Sequence, residues 1–159
     1  MTANVIGLIV ALVFLIFPLA VLARNHPATR PESATTQPMP SLTELLDALH
    51  QVENPRNVAH PIDGLGPFCL HKDFWHDAYE FAGFEPDYTT WVCDDETCRA
   101  TIRRNWMRYA ELEYEHVGTG CGTWADVEKL CRVFNGGPRG HTKRATVKYW
   151  NKVKAELNK

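Results

Sequence analysis

Positive charge is not in excess in this chain. Lys and Arg number 17 against 19 Asp and Glu, for a formal net charge of −2 at pH 7. That balance argues against a general nucleic-acid binder. Cysteine is scarce and odd in number: Cys69, Cys93, Cys98, Cys121 and Cys131 leave at least one thiol unpaired within a monomer. No internal repeat is visible, and β-type alternation is lacking outside one short stretch. The first 23 residues contain neither Lys nor Arg, so the basic n-region of an ordinary secretory signal is missing.

What is present is enough for one globular domain with a real core, since 45% of the 159 residues are hydrophobic and 23% charged. Val5 to Ala23 is an uncharged apolar run, about long enough to cross a hydrocarbon core as a helix. It reads as a transmembrane anchor or, because Val21-Leu-Ala23 offers a peptidase the small residues it accepts, as a signal peptide. Arg24 and Arg30 follow, and loop-charge bias would pull the chain after the run toward the cytoplasm. Residues 24–40, rich in Pro, Thr, Ser and Ala, form a flexible linker, and 41–159 the folded domain.

Helical signals dominate that domain. Ser41-Leu-Thr-Glu44 is a capping box, and Leu42, Leu45, Leu46, Leu49 and Val52 share one stripe, so a helix is expected from Ser41 to Glu53, stopped by Pro55. Arg56 to Phe68, with Pro61, Gly64, Gly66 and Pro67, reads as a short hairpin or irregular loop. A helix from Lys72 to Ala82 should bury Phe74, Trp75, Ala78, Tyr79 and Phe81. Asp94, Asp95 and Glu96 open a longer one reaching about Glu115, with Ile102, Trp106, Tyr109, Ala110 and Leu112 turned inward. Thr123-Trp-Ala-Asp126 caps another that ends at Asn135-Gly-Gly, and Thr142 to Leu157 makes the last. From Arg139 to Lys159, Arg139, Lys143, Arg144, Lys148, Lys152, Lys154 and Lys159 face only Glu156, predicting a positive patch on the C-terminal segment. The fold class expected is α+β, mainly helical.

Two carboxylates stand out. Glu53 ends an amphipathic helix just before a loop of Gly and Pro, where partial burial could keep it protonated near neutral pH. An exposed helix-terminal Glu is, however, usually a solvated charge. Asp63 lies in the loop, as a second carboxylate or simply as the turn residue of Asp63-Gly64. Cys93 and Cys98 are spaced closely enough for a local disulfide. No second close ligand pair follows them, so no metal is expected.

Several motifs together carry a family resemblance. Val52-Glu53-Asn54, Gly66-Pro-Phe-Cys-Leu70, Phe74-Trp75 with Asp77, Trp106-Met-Arg-Tyr-Ala110, Arg132-Val-Phe-Asn-Gly-Gly-Pro-Arg-Gly140 and Tyr149-Trp-Asn-Lys-Val153 occur in the order found in the invertebrate-type lysozymes and their bacterial and viral relatives. The resemblance covers nearly all of Leu45 to Lys154. It implies a lysozyme-like fold with a short β-hairpin, and a muramidase cleaving the β-1,4 bond between N-acetylmuramic acid and N-acetylglucosamine. Glu53 would be the general acid and Asp63 the candidate second carboxylate. Phe68, Tyr109, Asn135, Gly136 and Gly137 would bind substrate. No cofactor is implied. The partner would be peptidoglycan glycan strands, with the membrane engaged through the N-terminal segment and no nucleic acid. The protein would be anchored facing the wall, or secreted if the segment is cleaved. A closely spaced cysteine pair in the animal proteins supports Cys93–Cys98, with Cys121 to Cys131 or Cys69 as a further pairing. The chain departs from the family in having Asn54 for Ser and Cys69 for Gln. A lytic transglycosylase using Glu53 alone, or an inactive glycan-binding protein on the same fold, is the alternative.

Overall fold

The computed structural model describes residues 37–58 and 65–159. The apolar run before Arg24, the linker up to Thr36, and the loop residues His60, Pro61, Asp63 and Gly64 lie outside the described residues. Among those described, no helix is long and apolar enough to cross a membrane.

The first helix, α1 (Leu42–Glu53), forms where the capping box places it: Ser41 Oγ accepts the Glu44 amide, and the Glu44 carboxylate takes the Ser41 amide at 2.7 Å. Its stripe buries Leu45, Leu46 and Leu49 completely. The chain then turns through Asn54, whose buried side chain makes paired bonds to the backbone of Val58, donating at 2.8 Å and accepting at 2.9 Å. An antiparallel bridge joins Leu65 to Leu70 around a tight turn. This is the β structure among the described residues, shorter than a hairpin there.

α2 (Lys72–Tyr79) follows, then the single turn α3 (Tyr88–Trp91) and α4 (Asp95–Tyr109). Two expectations are corrected here. Phe81 is 80% exposed, because α2 ends at Tyr79 and the residues beyond it leave the buried face. The helix from Asp95 does not run on to Glu115. It breaks at buried Ala110 (φ −153°, ψ 44°), and α5 (Glu111–Gly118) starts in a new direction, leaving Leu112 59% exposed.

α6 (Trp124–Gly136) begins with the second capping box, closed by Thr123 and Asp126, and α7 (Thr146–Leu157) ends the domain. A short 3-10 turn over Gly140–Thr142 links them. α7 packs on both α1 and α6, α4 on α2, α5 and α6. Trp75 and Trp106 are fully buried and Trp150 nearly so, which makes them core residues. The indole N–H of Trp106 donates to the Leu130 carbonyl at 3.0 Å and that of Trp75 to the Pro86 carbonyl at 2.9 Å, so burial leaves neither polar atom unpaired.

No disulfide forms at Cys98, Cys121 or Cys131, which excludes the expected Cys93–Cys98 bridge and a Cys121–Cys131 pair. Cys98 instead turns inward and gives its thiol to the Val92 carbonyl at 3.0 Å, while Cys131 is wholly buried in α6. These two cysteines behave as small apolar core residues.

Candidate functional site

Glu53 is the last residue of α1, with its backbone carbonyl accepting the Cys69 thiol at 3.2 Å. That contact joins the helix end to the turn closed by the Leu65–Leu70 bridge, in which Cys69 has φ 49°. Tyr149 and Lys152 of α7 and His71, the residue before α2, are the groups that act on the Glu53 carboxyl. Burial raises the Glu53 pKa above its ordinary value. The Tyr149 hydroxyl and then the charges of Lys152 and His71 oppose that rise without cancelling it. The outcome is a half-buried carboxyl that holds its proton to higher pH than a surface Glu, a property suited to a general acid.

The Asn135-Gly-Gly-Pro turn is fixed by residues on either side of it. Gly137 takes φ 75° with ψ −166°, a backbone region open essentially to glycine alone, and donates its amide to Val133 as it ends α6. A Cβ on Gly140 would fall 1.8 Å from the Arg132 carbonyl oxygen, so only glycine permits this approach. Arg132 clasps the returning chain: Nε donates to the Thr146 hydroxyl at 3.0 Å and Nη2 to the Lys143 carbonyl at 3.2 Å. Thr146, buried at the head of α7, also bonds the Gly140 carbonyl at 2.8 Å. One residue before the turn, Phe134 packs its ring 6.2 Å from that of Tyr149. The turn and Glu53 are therefore tied to the same tyrosine.

The remaining residues named from the sequence fall in different places. Asn135 is exposed at the end of α6, with Gly136 and Gly137 partly so. Phe68 is buried in the core, under the Arg99 guanidinium, which lies 5.4 Å from its ring centre. Tyr109 is committed to α2, its hydroxyl donating to Asp77 Oδ1 at 2.6 Å. Asp63 lies outside the described residues. Thr146, which shapes the turn, was not named from the sequence, and Arg132 only as the first residue of its motif. The basic patch is realised as an exposed row, with Arg139, Lys143, Arg144, Lys148, Lys152, Lys154 and Lys159 all exposed.

Comparison with known proteins defines the class of fold and then the relatives. A chain in the crystal structure of Aeromonas hydrophila PliI in complex with Meretrix lusoria lysozyme superposes with a TM-score of 0.55 at 22% identity, covering 73% of this chain and 92% of that one. At that identity the likeness speaks for the fold alone, a mainly helical architecture similar to a lysozyme-like fold. In sequence the chain is 31% identical over 91 residues to a lysozyme of Ostrea edulis, a match covering 56% of this chain and 57% of that protein. It is 30% identical over 89 residues to a lysozyme of Magallana gigas, covering 55% and 56% respectively. Against invertebrate-type lysozyme 6 of Caenorhabditis elegans it is 40% identical over 63 residues, covering 39% and 42%. No family model matches the chain. The chain thus spans about half the length of the curated relatives it matches. The resemblance carried by the motifs holds: this chain is similar to the invertebrate-type lysozymes.

Proposed function

We propose that this protein is a lysozyme-type peptidoglycan hydrolase, a muramidase in which Glu53 protonates the leaving glycosidic oxygen. The observation that carries the proposal is the half-buried carboxyl at the end of α1 with its raised proton affinity. Cleavage of a glycosidic bond needs a carboxylic acid that is still protonated when the substrate arrives, because the sugar alkoxide is a poor leaving group. The positive charge that develops on the sugar ring calls for a second carboxylate or for a water on the opposite face, and Asp63 is the candidate from the adjoining loop. The exposed end of α6, with Asn135, Gly136 and Gly137, offers backbone and amide groups to the glycan. Phe68 and Tyr109 are engaged in packing instead, the one in the core and the other on Asp77. The domain, residues 41–159, is proposed to work outside the cytoplasm, either anchored by the N-terminal segment or secreted.

A peptidoglycan zymogram tests this reading. Clearing by the full chain that is lost in Glu53→Gln supports the hydrolase, whereas no clearing by the unmutated chain overturns it in favour of a glycan-binding protein. Mass spectrometry of released fragments separates the chemistries: a reducing end indicates hydrolysis, a 1,6-anhydro sugar a lytic transglycosylase.

A further inference from the structure

Tyr149 occupies an unusual position for a tyrosine. It sits on α7 one turn after Thr146, is only 8% exposed, and has its ring against Phe134. Its hydroxyl is out of reach of solvent, and the Glu53 carboxyl is the acceptor it meets. Buried phenol groups normally find a partner, because desolvation without one is costly. The ionisable groups that face it are Glu53 from α1, Cys131 from α6 and Cys69 from the turn. Of these, only the Glu53 carboxylate is a strong acceptor; the thiols are weak ones. Glu53 in turn is faced by Tyr149 and Lys152 from α7 and by His71 at the start of α2.

We infer that Tyr149 is the positioning residue of the site, its phenol O–H aimed at the Glu53 carboxyl so that one carboxyl oxygen is held and the other is presented to the glycan. The inference rests on Glu53 being the acid of the proposed reaction. It goes further by giving the buried end of α7 a part in setting the pH range over which that acid works. A hydroxyl donor stabilises the carboxylate form, so Tyr149 opposes the effect of burial and keeps Glu53 able to give up its proton. Burial and the adjacent carboxylate keep the phenol itself protonated well above its ordinary range, so it remains a donor throughout the titration of Glu53. A ring without the hydroxyl fills the same space, so the interaction with Glu53 is what the change removes.

The test is a titration of the full chain labelled with 13C at the Glu side-chain carboxyls, with the Glu53 signal assigned by its loss in Glu53→Gln. In Tyr149→Phe the Glu53 midpoint should move upward by about one unit. The alkaline limb of glycan cleavage should move with it, and kcat should fall more than KM rises. An unchanged or lowered midpoint in a folded Tyr149→Phe chain overturns the inference. Should that variant fail to fold, replacing the tyrosines with 3-fluorotyrosine keeps the ring and strengthens the donor. The midpoint should then fall, and no movement overturns the inference equally. The two readings fail separately. Glycan clearing that survives Glu53→Gln removes the acid, whereas clearing lost in Glu53→Gln beside an unmoved midpoint in Tyr149→Phe removes only the role of Tyr149.

Discussion

Glu53 is held between opposing influences, and their balance has a consequence for stability as well as for chemistry. Burial favours the protonated carboxyl, while Tyr149, Lys152 and His71 favour the ionised form; burial prevails and the folded-state pKa is raised above 4.5. The folded chain therefore holds this proton more tightly than the unfolded chain does. Between the unfolded and the folded pKa the native state binds more protons, so stability falls as pH rises through that window. Glu53→Gln removes the titration and keeps the shape. It should be less sensitive to pH over the window and gain stability relative to the parent as pH rises from below 4.5 toward neutrality. Urea denaturation at pH 4 and pH 7 measures this, and a parent-to-variant difference that is the same at both values would refute the burial of Glu53. Sequence pattern placed Glu53 at the helix end but could not supply its neighbour. Tyr149 is far along the chain, and only the packing of α7 on α1 brings the two together.

At the scale of elements, capping and periodicity made α1 and α6 legible, because a capping box and an apolar stripe are local signals that tertiary packing here reinforces. The break between α4 and α5 was not legible for the opposite reason. Ala110 is a strong helix former, and neither Gly nor Pro marks the site; the chain turns there because Ala110 and Trp106 are drawn into the core while Leu112 is left outside. The α6–α7 connection shows a third case, in which glycines announce a turn but not its purpose. Gly140 lies so near the Arg132 carbonyl that any side chain must push the turn away from α6. Gly140→Ala should therefore cost about 3 kcal/mol, within the range for strained or overpacked sites. It should also loosen the Arg132 to Thr146 contact at the head of α7. Gly137→Ala meets no neighbouring atom and is opposed only by its backbone, φ 75° with ψ −166°, so it should cost less, about 2 kcal/mol. Thermal denaturation of the two variants provides the comparison, and equal losses would show that the approach to Arg132 is not tight.

For the molecule as a whole, the net charge of −2 conceals a strong asymmetry between an acidic middle and a basic last helix. A wall polymer bearing anionic groups would meet the two faces differently, and association should be guided by the basic row rather than by the net charge. Arg144 and Lys148 are exposed and are not among the groups that shift Glu53, so they report on adsorption without acting on the acid. Reversing both, as Arg144→Glu with Lys148→Glu, should reduce the fraction bound to insoluble peptidoglycan several-fold at about 0.1 M salt, where charges are felt over about 10 Å. At about 1 M salt that distance contracts to about 3 Å, and parent and variant should bind alike. Hydrolysis of a small soluble glycan should be unaffected at either salt, since such a substrate gains little from a charged surface remote from the cut bond. Co-sedimentation at the two salt concentrations distinguishes steering from specific recognition: a loss of binding that persists at high salt would place Arg144 and Lys148 in the glycan site itself rather than in the field around it.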